Sequence, residues 1–310
     1  MKRSEKEEQD KFVWKSTRAN LEAHMFKNKR SGKKSKSHWN LFVRLVHVFE
    51  YFLKIFGLYE KGIANARDIK IVNHTLYFEN LPKAFEGFKV LHLSDLHINS
   101  LPGIEKSIIE KIKSVEYDLC VMTGDYRKNT FGSFKDIIIP MYKIIKNINS
   151  NYKILGVLGN HDTYLMVEHA EELKIRMLVN ESIDIKKDNE KITITGTDDP
   201  FAFYSDMAVY SLEKTGKGFK IALVHTSELA DIAAENNYSL YLCGHTHGGQ
   251  ICFPSGKPII THQFEGKKFV SGLWNYNGMQ GYTSKGCGVS GIPVRYNCNG
   301  EITVFTLRKK

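Results

Sequence analysis

Five short apolar runs in this 310-residue chain each end in a loop that carries carboxylate, amide or imidazole side chains. The run at 89–93 leads to Asp95-Leu96-His97, and that at 119–123 leads to Gly124-Asp125. The run at 153–158 leads to Gly159-Asn160-His161-Asp162, that at 220–224 to His225, and that at 240–243 to Gly244-His245-Thr246-His247-Gly248-Gly249-Gln250. Short apolar runs bounded by turn-forming residues read as buried strands. Loops beyond the C-terminal ends of strands are where α/β folds assemble their sites. Further strands are expected at 69–73, 75–79, 191–196 and 301–307, and helices at 104–114, 134–149, 163–173 and 227–235. This alternation predicts a layered α/β domain. No Pro/Gly/Ser-rich linker divides residues 68–310, which are expected to form one domain.

The positive charge lies elsewhere. Residues 1–40 hold twelve Lys/Arg and five acids, a net +7 of the chain's +10. The body is nearly balanced, so a basic nucleic-acid-binding domain is disfavoured, although the 1–40 segment alone could touch polyanions. That segment reads as a basic, mostly disordered tail, with a short helix expected around 12–26. Five scattered cysteines with no CxxC pair (Cys120, Cys243, Cys252, Cys287 and Cys298) point to a reducing compartment.

Between tail and body, residues 41–60 contain LFVRLVHVFEYFLKIFGL, dominated by large apolar side chains. On a helix its polar residues Arg44, His47, Glu50 and Lys54 share one strip, and Glu50 and Lys54 form an i,i+4 pair. The charges argue against a membrane-spanning helix. The charged stretch that precedes it argues against a secretory signal. An amphipathic helix lying on the cytoplasmic face of a membrane, drawn to anionic lipids by the basic tail, fits this pattern. A helix packed on the body or on a second chain has the same periodicity.

Taken singly, the strand-end motifs are common; a lone Asp-x-His or Gly-Asp is frequent by chance. Gly-His-Thr-His-Gly-Gly is stronger, because small residues around two imidazoles suit close backbone approach to an ion. In this order, the five sets resemble the calcineurin-like metallophosphoesterase superfamily, whose pattern is DxH, GD, GNH(D/E), H, GHxH. The run from Tyr282 to Arg295, YTSKGCGVSGIPVR, is similar to its membrane-associated bacterial branch, which includes small phosphodiesterases and enzymes that hydrolyse UDP-2,3-diacylglucosamine in lipid A synthesis.

The resemblance implies a four-layer α/β/β/α sandwich and a dinuclear phosphohydrolase. Two divalent ions, with Mn, Fe or Zn suited to such mixed nitrogen and oxygen donors, would be held by Asp95, His97 and His247 on one side. Asn160, His225 and His245 would hold the other, with Asp125 between them. His161 would face the phosphate as the catalytic donor to the oxyanion or leaving oxygen. Asp162 either fixes the His161 tautomer or caps the helix after Thr163. Gly124, Gly159 and Gly244 are expected to allow tight turns. Cys243 matches no ligand position. His225 is followed by Thr226-Ser227-Glu228 where many relatives carry a Pro-Asp-like pair.

Three features stay open. Thr195-Gly196-Thr197-Asp198-Asp199-Pro200 resembles a Gly-x-Asp-Asp-Pro turn of the bacterial branch or is an ordinary strand-ending turn. Phe201, Phe203, Tyr204, Met207 and Tyr210 line a substrate groove or cover the core. Arg127 and Lys128 contact phosphate or are surface charge. The expected function is cleavage of a phosphodiester or pyrophosphate at a membrane surface, with UDP-2,3-diacylglucosamine as the leading nucleotide-lipid substrate. The alternative is a soluble nuclease or nucleotide phosphodiesterase of the same superfamily.

Overall fold

The computed structural model describes residues 5–31, 36–259 and 269–310. Its strands are β1 (Lys70–Phe78), β2 (Lys89–Leu93), β3 (Leu119–Met122), β4 (Ile154–Gly156), β5 (Ile175–Met177), β6 (Glu181–Lys187), β7 (Glu190–Gly196), β8 (Lys220–Leu223), β9 (Leu240–Cys243), β10 (Gly272–Tyr276), β11 (Met279–Thr283) and β12 (Glu301–Lys309). Its helices are α1 (Glu5–Ser31), α2 (Lys36–Ile55), α3 (Leu58–Arg67), α4 (Ile104–Lys113), α5 (Lys135–Lys146), α6 (Met166–Glu172), α7 (Pro200–Phe203), α8 (Asp206–Glu213) and α9 (Ala230–Glu235).

The strands form two six-stranded sheets, ordered β1-β12-β2-β3-β4-β5 and β10-β11-β9-β8-β7-β6. In the first, β2 to β5 run parallel; in the second, β7, β8, β9 and β11 do. Strands of this kind are buried on both faces, which is why β2, β3, β8 and β9 are near-continuous apolar runs. One apolar core, with Val90, Val121, Leu155, Ile194, Ile221, Leu242 and Phe305, fills the space between the sheets. A second joins the outer face of the first sheet to α4 and α5 through Ile104, Ile108, Ile112, Ile137 and Ile144. A third joins the other sheet to α8 and α9 through Ala208, Leu212, Ala230 and Ala233. The result is the expected α/β/β/α layering.

Several boundaries differ from expectation. The strands expected at 69–73 and 75–79 are one strand, β1, in unbroken parallel register with β12 from Lys70↔Glu301 to Phe78↔Lys309. Strand β5 and the hairpins β6–β7 and β10–β11 add pairings that the apolar pattern did not suggest. Both hairpins turn on residues at positive φ, Asp188-Asn189 and Asn277-Gly278, the conformation that fits a two-residue turn to the strand twist.

The largest correction concerns the basic tail. Residues expected to be mostly disordered are helical from Glu5 to Ser31, and this helix docks on the body with Trp14 and Arg18 buried. The next helix begins earlier than the apolar segment and stops at Ile55; Gly57 adopts a left-handed conformation between it and α3. No described helix is long and apolar enough to cross a membrane.

Candidate functional site

The five loops meet where the C-terminal ends of β2, β3, β4, β8 and β9 face one another. Asp95, His97, Asp125 and Asn160 follow strands of the first sheet; His225, His245 and His247 follow strands of the second. Five of these residues hold their backbone at positive φ: Asp95 (49°), His97 (36°), Asp125 (55°), His245 (71°) and His247 (51°). L-residues adopt this region only when their surroundings impose it, and such strain concentrates at functional sites.

Of the three glycines expected to permit turns, only Gly124 has positive φ, at 89°. Gly244 serves close approach instead: a Cβ there would lie 2.0 Å from Ser94 Oγ and 2.2 Å from Asp95 Oδ2. Its lack of a side chain lets the His245 amide donate to both Asp95 oxygens, at 3.1 and 3.0 Å.

Three groups of donor atoms have the spacing to hold an ion: Asp95, His97 and His247; Asp125, His225 and His245; and His97, Asp125 and His161. Their tautomers follow from backbone contacts. His97 Nδ1 lies 2.8 Å from the carbonyl of Arg127, and His225 Nδ1 lies 2.7 Å from that of Thr123. A carbonyl only accepts, so both Nδ1 atoms carry hydrogen, and in the neutral rings each Nε2 turns a lone pair inward. Around these lone pairs lie more acceptors. His225 Nε2 is 3.0 Å from Asn160 Oδ1 and 3.4 Å from Asp125 Oδ2. His97 Nε2 is 3.3 Å from Asp125 Oδ2, yet it is buried and makes no hydrogen bond. Converging imidazole, carboxylate and amide groups fit a bound cation, which would take the place of the protons that burial opposes but the nearby carboxylates favour on His97 and His225, and backbone carbonyls on the opposite ring nitrogens are the usual support of metal-ligating histidines.

Burial opposes charge on Asp125, but His225 and His161 hold its carboxyl well below the usual range. Burial also opposes charge on His225, which Asp125 nevertheless raises well above an ordinary imidazole. Burial lowers His161 to about 4. Its Nδ1 bonds to the Lys128 carbonyl, and its Nε2 lies 3.9 Å from Asp125 Oδ2.

Neither expected role of Asp162 is observed. Its carboxylate accepts from the amides of Asp125 (2.8 Å), Tyr126 (3.0 Å) and Gly159 (2.8 Å), so it ties the Gly-Asp loop to the Gly-Asn-His-Asp loop. Arg127 is buried and donates to the carbonyls of His161, Gly132 and Thr130, which makes it a loop brace. Asp199 caps α7, accepting from Phe201 and Ala202, while Asp198 receives Trp14 and Arg18 from α1. The aromatic run after it divides: Phe203 is buried, Met207 packs on the core, Tyr204 and Tyr210 are exposed, and the Phe201 ring sits 4.5 Å from that of His245. Cys243 is buried against Tyr282 and Thr283 and belongs to none of the three donor groups.

Sequence reasoning missed the supports. Ser94 donates to Asp95 at 2.6 Å and receives Thr123 at 2.7 Å. Arg295 is buried and donates to the carbonyls of Lys285 (2.7 Å) and Gly288 (2.6 Å), beside His247 Nδ1 at 3.3 Å. It ends the C-terminal run already singled out, so the signal for it was present.

Residues 88–249 match the family model of the calcineurin-like phosphoesterases. Metallophosphoesterase YkuE of Bacillus subtilis (strain 168) is 30% identical over 251 residues, covering 77% of this chain and 86% of that protein. Metallophosphoesterase YkoQ of the same strain is 25% identical over 253 residues, with 78% and 92% covered. Phosphodiesterase YaeI of Escherichia coli (strain K12) is 28% identical over 253 residues, with 77% and 88% covered.

Proposed function

Because the chain belongs to the calcineurin-like phosphoesterase family and is thus a hydrolase of phosphoester bonds, we propose that it is a dinuclear metal-dependent phosphodiesterase working at a membrane surface. The observation that carries this reading is the convergence of acceptor atoms from both sheets, with His97 Nε2 buried and without a hydrogen bond. Asp95, His97 and His247 would hold one ion, Asn160, His225 and His245 the other, and Asp125 would serve both. This mixture of imidazole, carboxylate and amide donors suits Mn²⁺, Fe²⁺ or Zn²⁺. Two such ions, when bound, supply Lewis acidity toward phosphoryl oxygens and a nucleophile at neutral pH.

The chain's own residues supply orientation and the proton. The Lys128 carbonyl fixes His161 with hydrogen on Nδ1, so Nε2 is the atom that faces the substrate. An anionic phosphoester brought to Nε2 opposes the effect of burial on this ring and favours the protonated form. His161 Nε2 then passes its proton to the leaving oxygen. The name of the YaeI relative supports a diester substrate.

The membrane part rests on α2. Leu45, Val48, Phe49, Phe52 and Ile55 are all exposed there, as is Phe56 just beyond. An apolar face of this kind beside a basic segment suits anionic lipid, and a nucleotide-linked lipid such as UDP-2,3-diacylglucosamine is the substrate class that unites both ends of the chain.

The test is a panel of UDP-2,3-diacylglucosamine, bis(p-nitrophenyl) phosphate and single-stranded DNA, assayed with Mn²⁺, Fe²⁺ and Zn²⁺. Metal-dependent turnover of the first two, lost in Asp125→Asn, is expected, with release of UMP from the lipid. Cleavage of DNA in preference to the lipid substrate would transfer the assignment to a nuclease. Wild-type turnover in Asp125→Asn would remove the dinuclear reading.

A further inference from the structure

Helix α1 lies outside residues 88–249, the part that matches the family model, yet it reaches the loop that carries Asn160 and His161. Trp14, Arg18 and Glu22 recur every fourth residue and therefore share one face of the helix. The Arg18 guanidinium is buried. It donates to the carbonyl of Asp162 at 2.9 Å and reaches that of Gly159 at 3.5 Å. It also pairs with the Asp198 carboxylate and with Glu22, the latter at 3.0 Å, and lies 3.3 Å from the centre of the Phe203 ring. Trp14 Nε1 donates to the other Asp198 oxygen at 2.6 Å. One turn on, Glu22 accepts from Thr163 Oγ1 at 2.6 Å and from the Tyr164 amide at 2.9 Å. The backbone on both sides of Asn160-His161 is thus held by side chains of α1.

We propose that α1 is a clamp on this loop and that Arg18 is a positioning residue for Asn160 and His161. The proposal rests on the dinuclear hydrolase reading given above. Arg18 touches no substrate in this account; it fixes the two carbonyls that bracket the functional pair. Stability alone is a poor explanation of the arrangement. Replacing a buried ion pair by apolar side chains is often neutral or stabilising, and Trp14 is the one buried apolar residue of α1 among those described. What the guanidinium adds is geometry: its planar fork spans two carboxylates and two carbonyls at once, which an ammonium cannot.

The experiment uses full-length protein carrying Arg18→Met with Asp198→Asn, which removes both charges of the buried pair and leaves Glu22 held by Thr163 and the Tyr164 amide. Lys15→Ala is the control, since it breaks only an exposed ion pair of the same helix, with Glu168. Each protein is measured for kcat and KM on bis(p-nitrophenyl) phosphate, for Mn²⁺ affinity by calorimetry, and for Tm. The clamp predicts a kcat at least ~30-fold lower with KM little changed, the scale expected when reacting groups shift by a fraction of an ångström. It also predicts weaker Mn²⁺ binding in the double variant and neither change in Lys15→Ala. Arg18→Lys is expected to remain slow, and it supplies the same measurement should the double variant fail to fold.

Unchanged kcat and Mn²⁺ affinity in a folded variant would overturn the clamp, whatever happens to Tm. An equal fall in kcat for Lys15→Ala would do so too. A wild-type protein that cleaves no phosphoester with any of the three metals would instead remove the hydrolase mechanism. The Mn²⁺ affinities of the variants would then decide the clamp alone, for it if they weaken and against it if they do not.

Discussion

At the scale of single residues, the strand-end side chains that converge in the structure were legible, because ion binding and proton transfer would demand such side-chain types. Apart from Arg295, which ends the C-terminal run singled out in the sequence, the residues that support them were not, because a contact with backbone leaves no mark in sequence. Asp162 is the clearest case. Its one carboxylate satisfies three buried amides, two of them on the Asp125 loop. Asp162→Ala strands all three, and at about 1–3 kcal/mol for each buried unsatisfied group the loss is expected to exceed ~3 kcal/mol in urea unfolding. Asp162→Asn keeps one acceptor oxygen and is expected to fall between; equal stability of Asn and Ala variants would contradict the three-amide account. His92 offers a pH test. It is fully buried beside Thr123, and burial lowers its ring to about 3. The folded state therefore stays neutral while an unfolded His takes up a proton below about 6.5, so stability is lost as pH falls. Between about pH 7.5 and pH 5 this one group removes about 2 kcal/mol. His92→Gln can keep the bond to Thr123, and its unfolding free energy is expected to drop by about 2 kcal/mol less over that interval. An identical pH slope would assign the effect elsewhere.

At the scale of elements, what sequence reveals depends on how an element is held. The strands β2, β3, β8 and β9 are buried on both faces, and unbroken apolar runs announced them. Strand β10 has intermediate residues at Gly272, Trp274 and Tyr276 and exposed ones between, so its apolar signal is weak; the marker of the hairpin it forms with β11 was the turn pair Asn277-Gly278. Helix α1 was expected only as a short helix around 12–26, and neither signal marked its docking face. Its docking face is Arg18, Glu22 and one Trp, and a polar face bound to specific partners carries no apolar period. Helix α2 is the converse, with a plain amphipathic pattern whose apolar side is exposed at Leu45, Val48, Phe49, Phe52 and Ile55 while Leu53 is buried. Charging that side tests the lipid reading. Phe52→Glu with Phe56→Glu removes two large apolar contacts, about 3 kcal/mol or more of transfer free energy, equivalent to ~100-fold in affinity for anionic liposomes. Turnover of bis(p-nitrophenyl) phosphate is expected to stay unchanged. Undiminished liposome binding would contradict the lipid surface, and loss of a dimer in sedimentation would point to a second chain as the cover.

At the scale of the molecule, the site is a seam. Asp95, His97, Asp125 and Asn160 come from the first sheet, and His225, His245 and His247 from the second. The apolar core between the sheets holds them face to face, but at their C-terminal ends that core gives way to acidic and imidazole groups whose acceptor atoms oppose one another. Without a cation, the attraction across this end of the sandwich comes from Asp125 and His225, 3.4 Å apart, while the remaining acceptors repel one another. The order of the motifs was legible because each follows its own strand; that they join two separate sheets was not, since sheet membership is set by pairings distant in the chain, such as β9 with β11. The consequence is thermodynamic. An ion held by both sheets binds only when both are in place, so it stabilises the whole fold and not one loop. At Mn²⁺ near 100 times its dissociation constant the gain is about 2.7 kcal/mol, visible as a rise in Tm over the same protein in EDTA. Asp125→Asn, which weakens the group shared by both proposed positions, is expected to lose most of that rise, measured against its own value in EDTA. An equal Mn²⁺-dependent rise in both proteins would mean that the ion binds elsewhere, and that the seam is held by its core alone.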